Sequence, residues 1–308
     1  MKSGLFIIIS WLLVISPLLA QNKVVGYIPQ RSVKSMTSET LSCITQAIYF
    51  GLDVSQQGEL LIEQSKDDLD DLDSLRQIQP VELSVCFGGW GRSDFFASVT
   101  SSEALREKFC QQVFDLCQSY QLKSVDLDWE YPDTEQQVDD YIRMVKDLHR
   151  LLNPQGIGIT IAVGHWEKQA KLVAQMEPYL AGVNLMTYDN VSPSKGHASY
   201  DLVKRSVKRF IKHGIPPEKI LVGVPFYGRH RIHRQKTMAY REVPGLWDSI
   251  SDKGEYEGYY FSSPPNLKRK LDLIHKKGLA GIMIWELGHD VESTNPQSLL
   301  NYISTYKP

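Results

Sequence analysis

Eight short apolar runs punctuate the chain, at residues 24–28, 44–50, 81–87, 123–129, 157–163, 182–188, 220–226 and 280–286. Each is of strand length, rich in β-branched and aromatic residues, and bounded by Gly, Pro or polar residues. Between the runs the apolar period lengthens. Leu105, Phe109, Val113 and Tyr120 follow a cap in the segment beginning Ser101-Ser102-Glu103. Val138, Ile142, Val145 and Leu148 follow Thr134, and shorter stripes fall at Val203, Val207 and Phe210 and at Leu267, Leu271 and Ile274. These spacings predict amphipathic helices whose apolar faces meet a core. Strand and helix alternating eight times predict an α/β fold, a (β/α)8 TIM barrel. A doubly wound open sheet would carry a Gly-rich phosphate loop after its first strand. Here that strand runs into Tyr27-Ile28-Pro29 instead. The longest gap, residues 227–279, contains a helix and leaves room for a small insertion at most.

The N-terminus follows another pattern. Lys2 precedes a nearly continuous apolar run over residues 5–19, and small Ala20 follows. That is the layout of a secretory signal peptide, and about 15 apolar residues fall short of the ~20 that span a bilayer. Residues 1–20 are therefore expected to be a cleaved signal and residues 21–308 one domain. The mature protein is expected to be secreted (extracellular or periplasmic), free of the membrane and monomeric. With 34 basic and 36 acidic residues, the balance argues against a nucleic-acid partner held by phosphate contacts. The four cysteines read as free thiols. Cys110 and Cys117 sit on one helix about 10 Å apart along its axis, too far to bridge, and Cys86 lies within a strand.

Strand four carries the chemistry. Side chains alternate along a strand, so Asp126, Asp128 and Glu130 share one face while Val125, Leu127 and Trp129 share the other. In a barrel the acidic face points inward near the C-terminal mouth, where such barrels place their active sites. Three neighbouring carboxyls cannot all ionise cheaply, so a proton is shared among them and a general acid stays protonated near neutral pH. A divalent-metal site is the alternative, but no second acidic cluster lies at another strand end, so no metal and no cofactor are expected. The eight histidines, scattered along the chain, offer no constellation, and Arg229 to Arg234 reads as a solvated loop.

The run Asp126-Leu127-Asp128-Trp129-Glu130-Tyr131-Pro132 resembles the signature of glycoside hydrolase family 18, the chitinase family. GYIP at 26–29, FGGWGRS at 87–93, MTYD at 186–189, VPFYGR at 224–229 and GIMIWELGHD at 281–290 are similar to that family's strand ends. The resemblance implies a retaining, substrate-assisted hydrolysis of β-1,4-linked N-acetylglucosamine polymers, an exception to the two-carboxylate scheme. Glu130 would protonate the leaving oxygen, and the sugar's own acetamido oxygen would attack the anomeric carbon. Asp128 would hold the acetamido N–H, with Asp126 sharing its proton and Tyr188 on the opposite side. Trp285 would floor the site. Asp189, Met186, Tyr27, Trp90 and Tyr227 are further substrate contacts the resemblance implies.

The sequence departs from the family pattern in two places. Lys123 and Ser124 stand where an aspartate and a glycine usually precede Asp126, and Cys86 replaces a strand-three serine. A thiol is a weaker donor than a hydroxyl, so altered pH dependence or rate is expected rather than loss of activity. The link from strand seven to strand eight, although the longest, lacks room for the α+β module that walls the cleft in many relatives, so a shallower, endo-acting groove is expected. Rival readings are an endo-β-N-acetylglucosaminidase acting on N-glycans or peptidoglycan, and a non-catalytic chitin-binding barrel. The retained acid at Glu130 counts against the last.

Overall fold

All eight apolar runs form strands: β1 (Lys23–Pro29), β2 (Gln46–Leu52), β3 (Glu82–Gly88), β4 (Ser124–Asp128), β5 (Gly158–Gly164), β6 (Gly182–Met186), β7 (Ile220–Pro225) and β8 (Gly281–Trp285). They are parallel and close into a barrel in chain order, with β8 pairing back onto β1. The computed structural model describes residues 22–192 and 196–308; the signal peptide read at residues 1–20 lies outside them.

The helices form where the sequence places their caps. Ser102 accepts the N–H of Leu105 at the start of Glu103–Ser119. Thr134 and Gln137 form a reciprocal capping box on Glu135–Leu152. Among the described residues, five helices have no counterpart in the apolar stripes read from the sequence: Ser38–Ser42, Lys66–Ile78, Asp94–Ser101, Glu167–Met176 and Leu299–Ser304. The outward set of β4 packs as alternation requires. Trp129 stacks on Phe96 at 5.2 Å and meets Tyr141 edge-on at 5.2 Å, contacts worth about 0.5–1.5 kcal/mol per pair beyond their buried area. This packing fixes the strand's rotation and so aims its acidic side inward. All four cysteines are free, with Cys86, Cys110 and Cys117 buried and Cys43 partly exposed.

The segment after β7 holds a small four-stranded antiparallel sheet built from Tyr227–His230, Thr237–Ala239, Glu255–Tyr256 and Tyr259–Tyr260. The helix Pro264–Lys277 follows it. The insertion is thus small, as expected, but it corrects one reading. Arg229 and His230 are strand residues and half-buried rather than part of a solvated loop.

One buried cation stands out in that helix. Lys270 is fully buried, its Nζ donates to Ser262 Oγ at 3.2 Å, and burial pushes its ammonium down to about 7. The unfolded chain keeps that proton to about pH 10.4. Between pH ~7 and ~10.4 the unfolded state therefore binds more protons, and stability rises with pH across that window. Urea denaturation at pH 6, 8 and 10 checks this. Lys270→Met is expected to add roughly 1–4 kcal/mol at pH 6, progressively less towards pH 10. A variant no more stable than the parent at pH 6 would contradict the assignment.

Candidate active site

Asp126 lies at the centre of the barrel, wholly shielded from solvent. Its register partners on the flanking strands are Cys86 on β3 and Thr160 on β5, so donors reach it from both sides. Thr160 Oγ1 donates to Oδ1 at 2.5 Å, Asn184 Nδ2 to Oδ1 at 2.9 Å, and Tyr27 Oη to Oδ2 at 2.6 Å. The Cys86 thiol adds a further bond. Burial pushes the Asp126 carboxyl up, and these four bonds pull it down without cancelling the rise.

Two residues along, Asp128 is buried but its Oδ1 has no hydrogen-bond partner among the described residues. Burial, then the charges of Glu130 and Asp126, drive its carboxyl well above the ordinary range. The loop from β3 holds it close. Gly89 donates its N–H to the Asp128 carbonyl at 2.7 Å, and Gly88 has φ of 96° where a Cβ would sit 2.3 Å from that carbonyl oxygen. Only glycine fits there.

Glu130 lies just past the strand, half-exposed at the mouth. Its backbone N–H donates to Ser93 Oγ at 3.2 Å, and that hydroxyl also lies within bonding distance of the Gly89 and Asp128 carbonyls. Burial pushes the Glu130 carboxyl up, aided by the charge of Asp189, while bonds from Tyr131 and the Trp90 backbone only partly offset it. The three carboxyls form one column rising from the barrel centre to its mouth. A proton shared at its upper end is the low-cost state.

The facing wall comes from β6. Asn184, Met186 and Tyr188 share a face by alternation, and Thr187 ties the strand end to the Gly223 carbonyl at 2.7 Å. Tyr188 is buried, and burial raises its phenol well above its usual value. Asp189 follows with φ of 56°. Its backbone N–H donates to His197 Nε2 at 2.9 Å, while its carboxylate accepts from Tyr227 Oη and pairs with Arg229 at 2.5 Å. Burial works against that carboxylate, yet the bonds from His197 and Tyr227 and the Arg229 charge together hold it below the usual range. Asp189 is thus ionised and neutralised in place, whereas Asp128 is not.

Between the walls lies a cavity of about 670 Å³. Tyr27, Trp90, Asp128, Glu130, Met186, Tyr188, Asp189 and Trp285 all line it. Trp285, Phe50 and Tyr27 form an aromatic floor, with Trp285 centroids 4.7 Å from Phe50 and 5.5 Å from Tyr27. Trp90 stands 80% exposed at the rim. Two expected site residues do not reach the cavity. Asp126 lies beneath it, and Tyr227 sits behind Asp189 with its hydroxyl bonded to that carboxylate. Lys123 is exposed at the opposite end of β4 and stays out of the acidic column.

Sequence reasoning missed Phe50, Tyr131, His165, Trp166, Arg229 and Gln235, which also line the cavity. Phe50 and Trp166 fall at the ends of β2 and β5, and the rule that strand ends carry the site could have found them. Gln235 comes from the inserted hairpin and carried no such signal.

A sequence profile described as "Glycosyl hydrolases family 18" matches residues 23–290. The chain belongs to this family. "Probable chitinase 2" of Drosophila melanogaster is 29% identical over 233 residues, covering 69% of this chain and 47% of that protein. This chain thus spans about half the length of that curated relative. Among solved structures, the family 18 chitinase ChiB from the chitin utilization locus of Flavobacterium johnsoniae aligns with a TM-score of 0.79 at 22% identity, over 92% of this chain and 93% of that one. A mutant of the family 18 chitinase of Cycas revoluta, in complex with (GlcNAc)4, aligns with a TM-score of 0.78 at 18% identity, over 92% and 98%. These likenesses confirm the (β/α)8 barrel.

The Asp126 cradle separates two substitutions. Thr160→Val removes a short donor and leaves a buried carboxylate lone pair unmatched, which should cost about 1–3 kcal/mol in chemical denaturation. Cys86→Ser exchanges one donor among four and should shift stability by no more than about 1 kcal/mol. Equal losses in both variants would contradict this division of the load.

Proposed function

We propose that this protein is a retaining glycosidase that cleaves β-1,4-linked N-acetylglucosamine chains from within, using the substrate's own acetamido group as nucleophile. One observation carries the reading. The Asp128 carboxyl is buried and has no protein partner on Oδ1, although it lies below an aromatic-floored cavity beside Glu130. An unpaired buried polar atom is costly, and an acetamido N–H entering from above would satisfy it.

Each residue then has a task. Glu130, kept protonated by burial and the nearby Asp189 charge, donates to the leaving glycosidic oxygen. The acetamido carbonyl oxygen bonds to the anomeric carbon as the glycosidic bond breaks, giving a cyclic oxazolinium ion. Asp128 takes the acetamido N–H and balances the developing positive charge, a role eased by passing proton density down the column towards Asp126. Tyr188, across the cavity, orients the acetamido group, and Trp285 packs beneath the sugar ring. Ionised Glu130 then draws a proton from water as that water opens the ring from the face the leaving group vacated, restoring the original configuration. Export is part of this reading and rests on the apolar segment at residues 5–19. Internal cleavage rests on the small size of the insertion after β7.

Hydrolysis of N-acetylglucosamine tetramers to hexamers, beside Glu130→Gln, tests the proposal. The parent should cleave them, and the variant should lose roughly 10²–10⁴-fold in kcat while still binding. Because Glu130 must carry its proton, kcat/KM should fall as pH rises through a value above the ordinary ~4.3 of glutamate. Full activity in Glu130→Gln, or a limb at the unperturbed value, would overturn the assignment.

A further inference from the structure

The hairpin that closes one side of the cavity carries an unusual sequence. Residues 229–236 read Arg-His-Arg-Ile-His-Arg-Gln-Lys, four permanent cations in eight positions within a chain whose overall charge is −2. The hairpin is built rather than loose. His230 Nδ1 accepts the N–H groups of Ile232 and His233 at 3.2 and 3.1 Å, and Arg229 Nη1 donates to the Arg234 carbonyl at 2.7 Å. His230 also packs edge-on against Tyr259 at 5.0 Å.

The cations divide into two sets. Arg229 is consumed by Asp189, and Arg231 pairs with Glu255 at 3.4 Å. Glu257, in the neighbouring turn, is bonded by Tyr256. Arg234 and Lys236 are exposed and have no ion pair among the described residues. Gln235 between them lines the catalytic cavity, as does Arg229 at the hairpin's base. The two free charges therefore flank the point where the hairpin touches the cleft. The acids inside the cleft do not offset them, since Asp189 is already paired and Asp128 and Glu130 share protons. A neutral sugar chain can take hydrogen bonds from these groups but leaves their charge unmatched, whereas a carboxylate takes both.

We propose that the glycan this cleft takes bears acidic groups, and that Arg234 and Lys236 bind them beside the cleaved N-acetylglucosamine. This rests on the cleft being a glycan cleft, the reading given above. Partly deacetylated chains, which carry ammonium groups, are disfavoured by the same hairpin.

Binding to the Glu130→Gln chain tests this without needing turnover. The probes are oligosaccharides of equal length: neutral N-acetylglucosamine, chains with alternating lactyl-ether carboxylates, chains with alternating uronates, and partly deacetylated chains. At least one acid-bearing chain should bind about five-fold more tightly than the neutral one in low salt, the two acid-bearing arms telling which source of carboxylate fits. Adding Arg234→Ala and Lys236→Ala should abolish that advantage, leave the neutral chain unchanged and improve binding of the deacetylated one. Raising salt to 0.5 M should shrink the advantage in the same way, as for exposed charges. Equal affinity for neutral and acidic chains, an acidic preference that survives the double substitution, or tight binding to phosphatidylserine vesicles without any glycan preference would overturn it. If acid-bearing chains bind by this hairpin but no glycan is cleaved with Glu130 intact, the catalytic reading fails and this one stands.

Discussion

Stacking three carboxyls along and just past one strand of a closed barrel, two of them buried, is the constraint around which this molecule is arranged. A carboxylate taken out of water without partners costs several kcal/mol, so each member of the column needs a separate solution. Asp126, deepest, has donors from β1, β3, β5 and β6. Asp128 has no partner on Oδ1 and answers by staying protonated or by taking one from a ligand. Glu130 sits at the mouth, partly hydrated. The gradient from fully paired to unpaired to half-exposed makes the column a reservoir for a proton with an outlet only at the top.

The opposite wall solves the same problem the other way. Asp189 is matched by Tyr227 and Arg229 and fixed through its backbone to His197. Two carboxyl environments a cavity's width apart are thereby pushed in opposite directions, one towards the acid and one towards the anion. Separating titratable groups in this way is how a single site supplies both a proton donor and a fixed negative charge at one pH. The small sheet after β7 contributes Arg229 to this balance, so the insertion is part of the site's electrostatics as well as its outline.

Much of this was legible in the sequence because period carries direction. The alternation in strand four was enough to send Asp126, Asp128 and Glu130 inward and Trp129 outward, and the eight apolar runs were enough to close the barrel. Partnership was not legible, because it depends on which strands become neighbours in space. The Thr160 and Asn184 donors lie 34 and 58 residues from Asp126, and nothing local marks them. The Cys86 thiol is one of four donors to Asp126, the other three being oxygen or amide groups. Lys123 lies at the solvent end of the strand, outside the acidic column. Arg229 was misread. Its basic neighbours imitate a solvated loop, whereas its pairing with Thr237 and Tyr260 makes it an inner-strand residue of the small sheet.

The protonation of the carboxyl column is the claim most directly open to measurement. ¹³C carboxyl shifts of the labelled protein, assigned with Asp128→Asn and Glu130→Gln and followed from pH 3 to 8, report it group by group. Asp128 or Glu130 should still hold a proton at pH 6, and its apparent titration should move when the other is neutralised. Independent ionisation of both near the ordinary pKa of ~4 would contradict the shared proton and, with it, the mechanism built upon it.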